Sequence, residues 1–341
     1  RHDRQPTARD RGRRNSAIPG CFSTHHAACA ARRQNREEMT RALSIVMTGM
    51  NRAMLLERSL FATCAWQQFQ PEQAELVYVD DRSDDAPALL SLLKEYSHHF
   101  SRVMLVTMDK SLSRIPVAWN CPALGLNIGV KAAANEIVLK PDPECLPLTE
   151  TIVESLRLFD PGKVLFFSTR MLTEEETVEF AVEQMELLHP QDIHEAKLKH
   201  LARYGLWSVN AHGARYAYWF GAVFSRERFL RIGGVDEQFL LGFAGDDDDW
   251  ANRMQMSGAE WCWPESLRIV HQFHGTDNRK FHLSPEHRRN IALVRKNMES
   301  RKITANQGED WGSESAVVDR LEIVRGRART FCEDVKTEVS A

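Results

Sequence analysis

The chain has 341 residues, of which 43% are hydrophobic and 27% charged, and its formal net charge is -3. This balance suits a soluble globular protein of one or two domains and excludes a fibrous or wholly disordered chain. It gives no general attraction for nucleic acid or an acidic membrane surface, so any basic binding face has to be local.

Residues 1–41 are rich in arginine and alanine and lack apolar periodicity, which predicts a disordered arm or added sequence, with Met39 a candidate start. Within it CFSTHHAAC sets Cys21, His25, His26 and Cys29 close together. Zinc could use such ligands, although structural zinc sites usually spread two ligand pairs around a folded loop. The seven cysteines follow no framework spacing, as expected for free thiols in a cytoplasmic protein. No apolar run approaches the roughly 20 residues of a membrane-spanning helix, and the N-terminus lacks the apolar core of a secretion signal.

From Ala42 the texture changes. SIVM predicts a strand, and NRAMLLERSLFATCAW a helix with Leu56, Leu60 and Cys64 at helical spacing. ELVYVDDRSDD predicts a second strand, Leu76 to Val79, ending in Asp80 and Asp81, with a helix from about Pro87. RVMLVTM is a third strand, CPALGLNIGVKAAAN a helix and EIVLK a fourth strand. Strands alternating with helices predict an α/β fold, a mostly parallel central sheet flanked by helices. In the second half, acidic amphipathic segments occur around Thr173 to Leu188 and Ile193 to Tyr204, followed by an aromatic strand AYWFGAVF and a helix SRERFLRIGG. LRIVHQFHG predicts a strand ending in His271 and His274, and Ser284 with Pro285 opens another helix. Beyond about Lys302 the chain reads as polar and peripheral.

Ligands of such sheets sit beyond the C-terminal strand ends, where this chain carries Asp80 and Asp81, then Asp142 and Glu144. In KPDPECLP the prolines stiffen the turn and are expected to hold the two acids on one side of extended backbone. Two acids and a histidine from a distant strand can bind Mg²⁺ or Mn²⁺, leaving open positions for phosphate oxygens. MTGMNR has one glycine and matches neither the Rossmann fingerprint nor the Walker loop.

Four consecutive aspartates, Asp246 to Asp249, follow Gly245. On a helix they point in different directions, so they have separate tasks. Asp246 is expected to cap the helix, Asp247 to face a cleft as a general base, and Asp248 and Asp249 to stay solvated or hold a substrate hydroxyl. The alternatives are a solvated, capped helix start or a calcium loop, whose ligands would alternate around a central glycine.

The order SIVMTGMNR, VYVDDRSDD, NIGVKAAANEIVLKPDPE, FGAVFSRERFLRIGGVDEQF, GFAGDDDDWANRMQMSG and VHQFH resembles the inverting family 2 glycosyltransferases of GT-A fold. The later part is similar to the C-terminal motif of galactosyltransferase relatives. The resemblance covers roughly Ala42 to His274. It implies a GT-A domain over 42–280, with a nucleotide-binding half at 42–170 and an acceptor half at 171–280, and a helical extension over 281–341. It implies a UDP-sugar donor, a glycan or lipid-linked acceptor, peripheral membrane association, no nucleic acid and a Mn²⁺ or Mg²⁺ cofactor.

Carried over by residue, the resemblance implies that Asn51, Arg52, Asp80, Asp81, Asn127 and Asp142 bind the nucleotide-sugar. Glu144, Asp142 and His271 hold the metal, with His274 a second candidate histidine. Asp247 is the base, and Asp246, Asp248 and Trp219 face the acceptor. Trp207, Trp219, Trp261 and Trp263 could stack a sugar or pack in the core. The chain departs from the pattern in reading DPE at the metal motif, Arg82 where glycine is usual, and Leu126 where an arginine commonly precedes Asn127; Lys131 and Lys140 are candidate substitutes at the diphosphate. The rival readings are a non-catalytic nucleotide-sugar or glycan binding protein and a sugar nucleotidyltransferase.

Overall fold

The computed structural model describes residues 41–109, 122–178, 220–275, 284–308, 310–313, 317–324 and 327–330. The N-terminal arm with its Cys and His cluster, most of the acidic segments after Val178, and Trp207 and Trp219 lie outside these residues.

Four parallel strands form the centre of the sheet: β1 (Leu43–Gly49), β2 (Ala74–Asp80), β3 (Val103–Met108) and β4 (Ile137–Pro141), in the order β3-β2-β1-β4. Between them run α1 (Ala53–Trp66), α2 (Ala86–Tyr96) and α3 (Ala123–Ala132). Runs of six buried residues in β1 and seven in β2 explain why both read as continuous strands. Alternate residues of β1 enter opposite cores. Val46 faces the layer of Leu126, Ile128 and Trp250, while Ile45 and Met47 face that of Leu56, Leu60 and Leu93.

After β4 come β5 (Cys145–Pro147), α4 (Thr151–Leu158), β6 (Lys163–Phe166), β7 (Ser168–Met171) and α5 (Glu174–Val178). Next are β8 (Gly221–Ser225), α6 (Arg226–Arg231), α7 (Asp246–Met256), β9 (Glu260–Cys262) and β10 (Arg268–His271). Strand β8 pairs antiparallel with β4 and β6 and extends the sheet, whereas β5, β10 and β7 form a separate three-stranded sheet. The short β5, β6, β7 and β9 have too few residues to show a period, which is why the sequence reading passes over them.

Residues 281–341 differ from the helical, peripheral extension expected. Helix α8 (Pro285–Glu299) is followed by β11 (Val317–Val324) and β12 (Arg327–Thr330), and β11 pairs antiparallel with β3 in the main sheet. In VVDRLEIV, Leu321 and Ile323 alternate with Arg320 and Glu322, and Ile323 is fully buried in the core. The polar composition hides that period of two.

No described helix is long and apolar enough to cross a membrane. Cys64, Cys145 and Cys262 are free thiols.

Candidate active site

The C-terminal ends of β1, β2 and β4 carry Gly49, Asp80 and Pro141, and the polar groups gather just beyond them. Gly49 is there for close approach. A Cβ at this position would lie 2.6 Å from the Tyr78 hydroxyl and 3.1 Å from Pro143. Asn51 follows at φ 55, a conformation asparagine tolerates, and its Oδ1 accepts the Asp84 N–H at 2.7 Å. Asp80 is buried and caps the next turn by accepting the Ser83 N–H at 3.1 Å. Burial pushes its carboxyl above the ordinary value, against the Ser83 hydrogen bonds. Asp81 pairs with Arg82 at 2.6 Å. Arg82 has φ 67, so the position where glycine is usual does require left-handed backbone here.

The KPDPE segment folds differently from the extended arrangement expected. The Cys145 N–H donates to the Asp142 carbonyl at 2.9 Å, closing a tight turn with Pro143 inside it. Beyond the turn the two carboxylates take different partners. Asp142 pairs with Lys140 Nζ at 2.5 Å, and Glu144 faces the loop after β10. There, His271 Nε2 and His274 Nε2 lie 3.5 Å and 3.4 Å from the same oxygen, Glu144 Oε1.

One ligand atom from each of Glu144, His271 and His274 falls within 4.8 Å of the others, and among the described residues this is the cluster of metal-binding type. Burial would raise the Glu144 carboxyl, but the His271 hydrogen bond and charge, then Arg52 and His274, outweigh it and hold the group at about 2. Burial lowers His274, against the pull of Glu144, so its ring is neutral and able to ligate near pH 7. His271 is buried, and its Nδ1 has no hydrogen-bond partner among the described residues. Two imidazoles and a carboxylate suit a borderline divalent cation and leave coordination positions open. The residues fit a metal. Asp142, expected beside Glu144 as a ligand, lies outside this cluster because Lys140 holds it.

A residue the sequence reading missed fixes the loop. Gln272 is fully buried, and its amide donates to the carbonyls of Leu55 at 3.0 Å and Glu144 at 3.1 Å. Its backbone N–H also reaches the Glu144 carbonyl at 3.1 Å. It locks the two histidines onto the turn bearing Glu144. The signal for it was its place inside VHQFH, between two candidate ligands. Beside this loop a cavity of about 550 Å³ opens between Asn51, Arg52, Arg58, Thr177, Phe273 and His274.

Asp247 enters from α7. Gly245, at φ 84, occupies the N-cap position, so Asp246 is the first helical residue and not the cap. The Asp247 Oδ1 accepts the Asp248 N–H at 2.9 Å. Asp247 is half-buried, and its carboxyl is pushed well above the usual range by burial, then by the carboxylates of Asp246 and Asp248. The Asp248 N–H and the charge of Lys140 act in the opposite direction. Asp249, expected to be solvated, is 1% exposed and ion-paired with the fully buried Arg253 at 2.6 Å, because it lies on the core side of the helix.

Lys140 connects the two halves. By strand alternation it shares a side of the sheet with Val138, which packs in the core that contains Trp250 of α7. It therefore pairs with Asp142 while its charge acts on Asp247, and Asp142 in turn feels Glu144 and His271.

Two further expectations are corrected, and one alternative is decided. Asn127 is fully buried; its amide donates to the Val235 carbonyl and to Glu237, each at 2.9 Å, and its oxygen accepts the Val235 N–H at 2.8 Å, so it is committed to the interior and not exposed to a nucleotide. Lys131 is not at the diphosphate, since its ammonium bonds the Trp311 carbonyl and lies 4.2 Å from that ring centre. Trp261 and Trp263 pack against Phe166, at 5.8 Å and 5.7 Å between ring centres, which is the core packing favoured over a sugar-stacking platform.

No family model and no curated protein sequence matches the chain. Among solved structures it is similar to the mannosyltransferase PcManGT from Pyrobaculum calidifontis, solved in complex with GDP-Man and Mn²⁺. The TM-score is 0.51 at 17% identity, covering 82% of this chain and 73% of that one. It is also similar to S. aureus TarS, with a TM-score of 0.51 at 13% identity over 75% of this chain and 39% of that chain. TarS 1-349 in complex with UDP-GlcNAc gives a TM-score of 0.51 at 13% identity, with 74% and 65% covered. The fold is GT-A. At these identities the likeness is one of fold, and this chain spans well under half of full TarS.

Proposed function

We propose that this chain is an inverting glycosyltransferase of the family 2 type, moving a hexose from a UDP-sugar to an acceptor hydroxyl with a divalent cation held by Glu144, His271 and His274. The observation that carries the proposal is the line of charges from that cluster through Asp142 and Lys140 to Asp247. A candidate cation site and an elevated carboxylate linked in this way support the reading, since the transfer would use both. The named ligands of the structural neighbours, GDP-Man with Mn²⁺ and UDP-GlcNAc, support a nucleotide-sugar donor.

In this reading Asn51, Arg52, Asp80 and Asp81 contact the nucleoside side of the donor at the ends of β1 and β2. Asp247 takes the proton from the acceptor hydroxyl; the hydroxyl oxygen forms its bond to the sugar C1 as the C1–diphosphate bond breaks on the opposite face, which inverts the anomeric configuration. A bound divalent cation supplies Lewis-acid stabilisation of the charge that grows on the leaving diphosphate. Lys140 keeps a positive charge between the two carboxylates, favouring the deprotonated base.

Thermal shift with UDP- and GDP-sugars, with and without Mn²⁺, identifies the donor, since a ligand that binds the native state raises the melting point. Release of UDP in the presence of an acceptor then distinguishes a transferase from a silent binding protein. Dependence on pyrophosphate instead identifies a nucleotidyltransferase. The proposal fails if donor binding is indifferent to Mn²⁺ and no nucleotide is released.

A further inference from the structure

Helix α8 lies outside the transfer site and carries a charge pattern that the reaction does not use. Residues 285–302 contain six lysines and arginines against two glutamates, in a chain whose net charge is -3. Two of the six cations serve the fold: Lys302 pairs with Asp236 at 2.6 Å, and Arg289 donates to the Gln238 carbonyl at 3.0 Å. The other four, Arg288, Arg295, Lys296 and Arg301, are exposed, and among the described residues none has a carboxylate in ion-pair contact.

Their placement follows from the helical period. Arg288, Ala292, Arg295 and Glu299 fall within about 60° of arc, and Lys296 lies beside them. The opposite side, Asn290, Val294 and Asn297, is buried against the protein. Met298, on the helix beside this face, is 48% exposed, and Ile303, four residues past the helix end, is 40% exposed. Unpaired cations explain attraction to an anion. Apolar groups left in water on the helix and just past it favour a partner with an acyl interior over a purely hydrophilic polyanion such as RNA.

We propose that the outer face of α8 and the residues just past its end dock on an anionic lipid bilayer, with Arg288, Arg295, Lys296 and Arg301 at the headgroups and Met298 and Ile303 entering the acyl boundary. The proposal does not depend on the transferase reading and stands if the chain proves inactive.

The test is co-sedimentation of the full chain with vesicles of phosphatidylcholine alone, or with about one-third phosphatidylserine. Binding should require phosphatidylserine and fall as salt rises. Each neutralised cation should weaken it about fivefold, so the pair Arg288→Gln and Arg295→Gln should lose about 25-fold. The pair Lys296→Gln and Arg301→Gln provides a second variant if the first melts early. Met298→Ser with Ile303→Ser should weaken vesicle binding severalfold while melting as the wild type does. Wild-type binding that ignores phosphatidylserine, or variants that bind as tightly as the wild type, would overturn the proposal. So would an RNA oligonucleotide bound more tightly than the vesicles with no effect of the two apolar changes.

Discussion

Asp247 owes its elevated carboxyl to partial burial and to the two aspartates that flank it. A base acts in its deprotonated form, so kcat/KM should rise with pH through a limb lying above the ordinary carboxylate value of about 4. Asp247→Asn should remove that limb and lower turnover by roughly 10²–10⁴-fold while donor binding persists. The same shift has a stability sign. With a native value above the unfolded one, the native state binds the extra proton, and stability falls as pH rises between the two. Asp247→Asn should therefore melt higher than the wild type at neutral pH, and a lower melting point there would count against the elevated carboxyl. At this scale the acids were legible because carboxylates at strand ends and in a row are conspicuous. The fates of Asn127, Asp142 and Asp249 were not, because each is decided by a partner distant in sequence or by which side of a turn it faces: Val235, the Asp142–Cys145 turn, and the core beside Arg253.

The element that presents Asp247 is a turn backed by a buried polar network. Gly245 needs its left-handed backbone, and a Cβ there would also meet Val294 of α8 at 3.1 Å. Gly245→Ala should cost about 1–2 kcal/mol in denaturant unfolding and reduce turnover by shifting the start of α7. Below it, Asp249 pairs with Arg253 and accepts from Asn297 at 2.7 Å, and Asp236 pairs with Lys302. Arg253→Met would leave Asp249 buried without its cation, a loss of about 3–5 kcal/mol. Adding Asp249→Leu should restore much of it, and a single variant as stable as the wild type would show the pair to be dispensable. The sequence marked a helix after the four aspartates. It could not mark this network, whose members come from α7, α8, the residues just past α8 and the segment between α6 and α7.

For the molecule as a whole, the alternation of strands and helices from Leu43 to Pro141 made the central parallel sheet readable, since each element carries its own period. Closure of the sheet edge by β11 was not readable, because its alternating apolar residues sit in a polar stretch far from β3. Ile323→Ala should cost about 2–5 kcal/mol if β11 is part of the core, and nearly nothing if the segment is peripheral. The central claim joins the two ends of this fold, Glu144 from the turn after β4 and the histidines at the end of β10, in one cation site. Calorimetric titration of Mn²⁺ into the wild type and into Glu144→Ala, each with UDP present, tests it most directly. The account predicts a single site in the wild type and at least about tenfold weaker binding in the variant. Equal affinity in the two proteins, or no binding by the wild type, would contradict it.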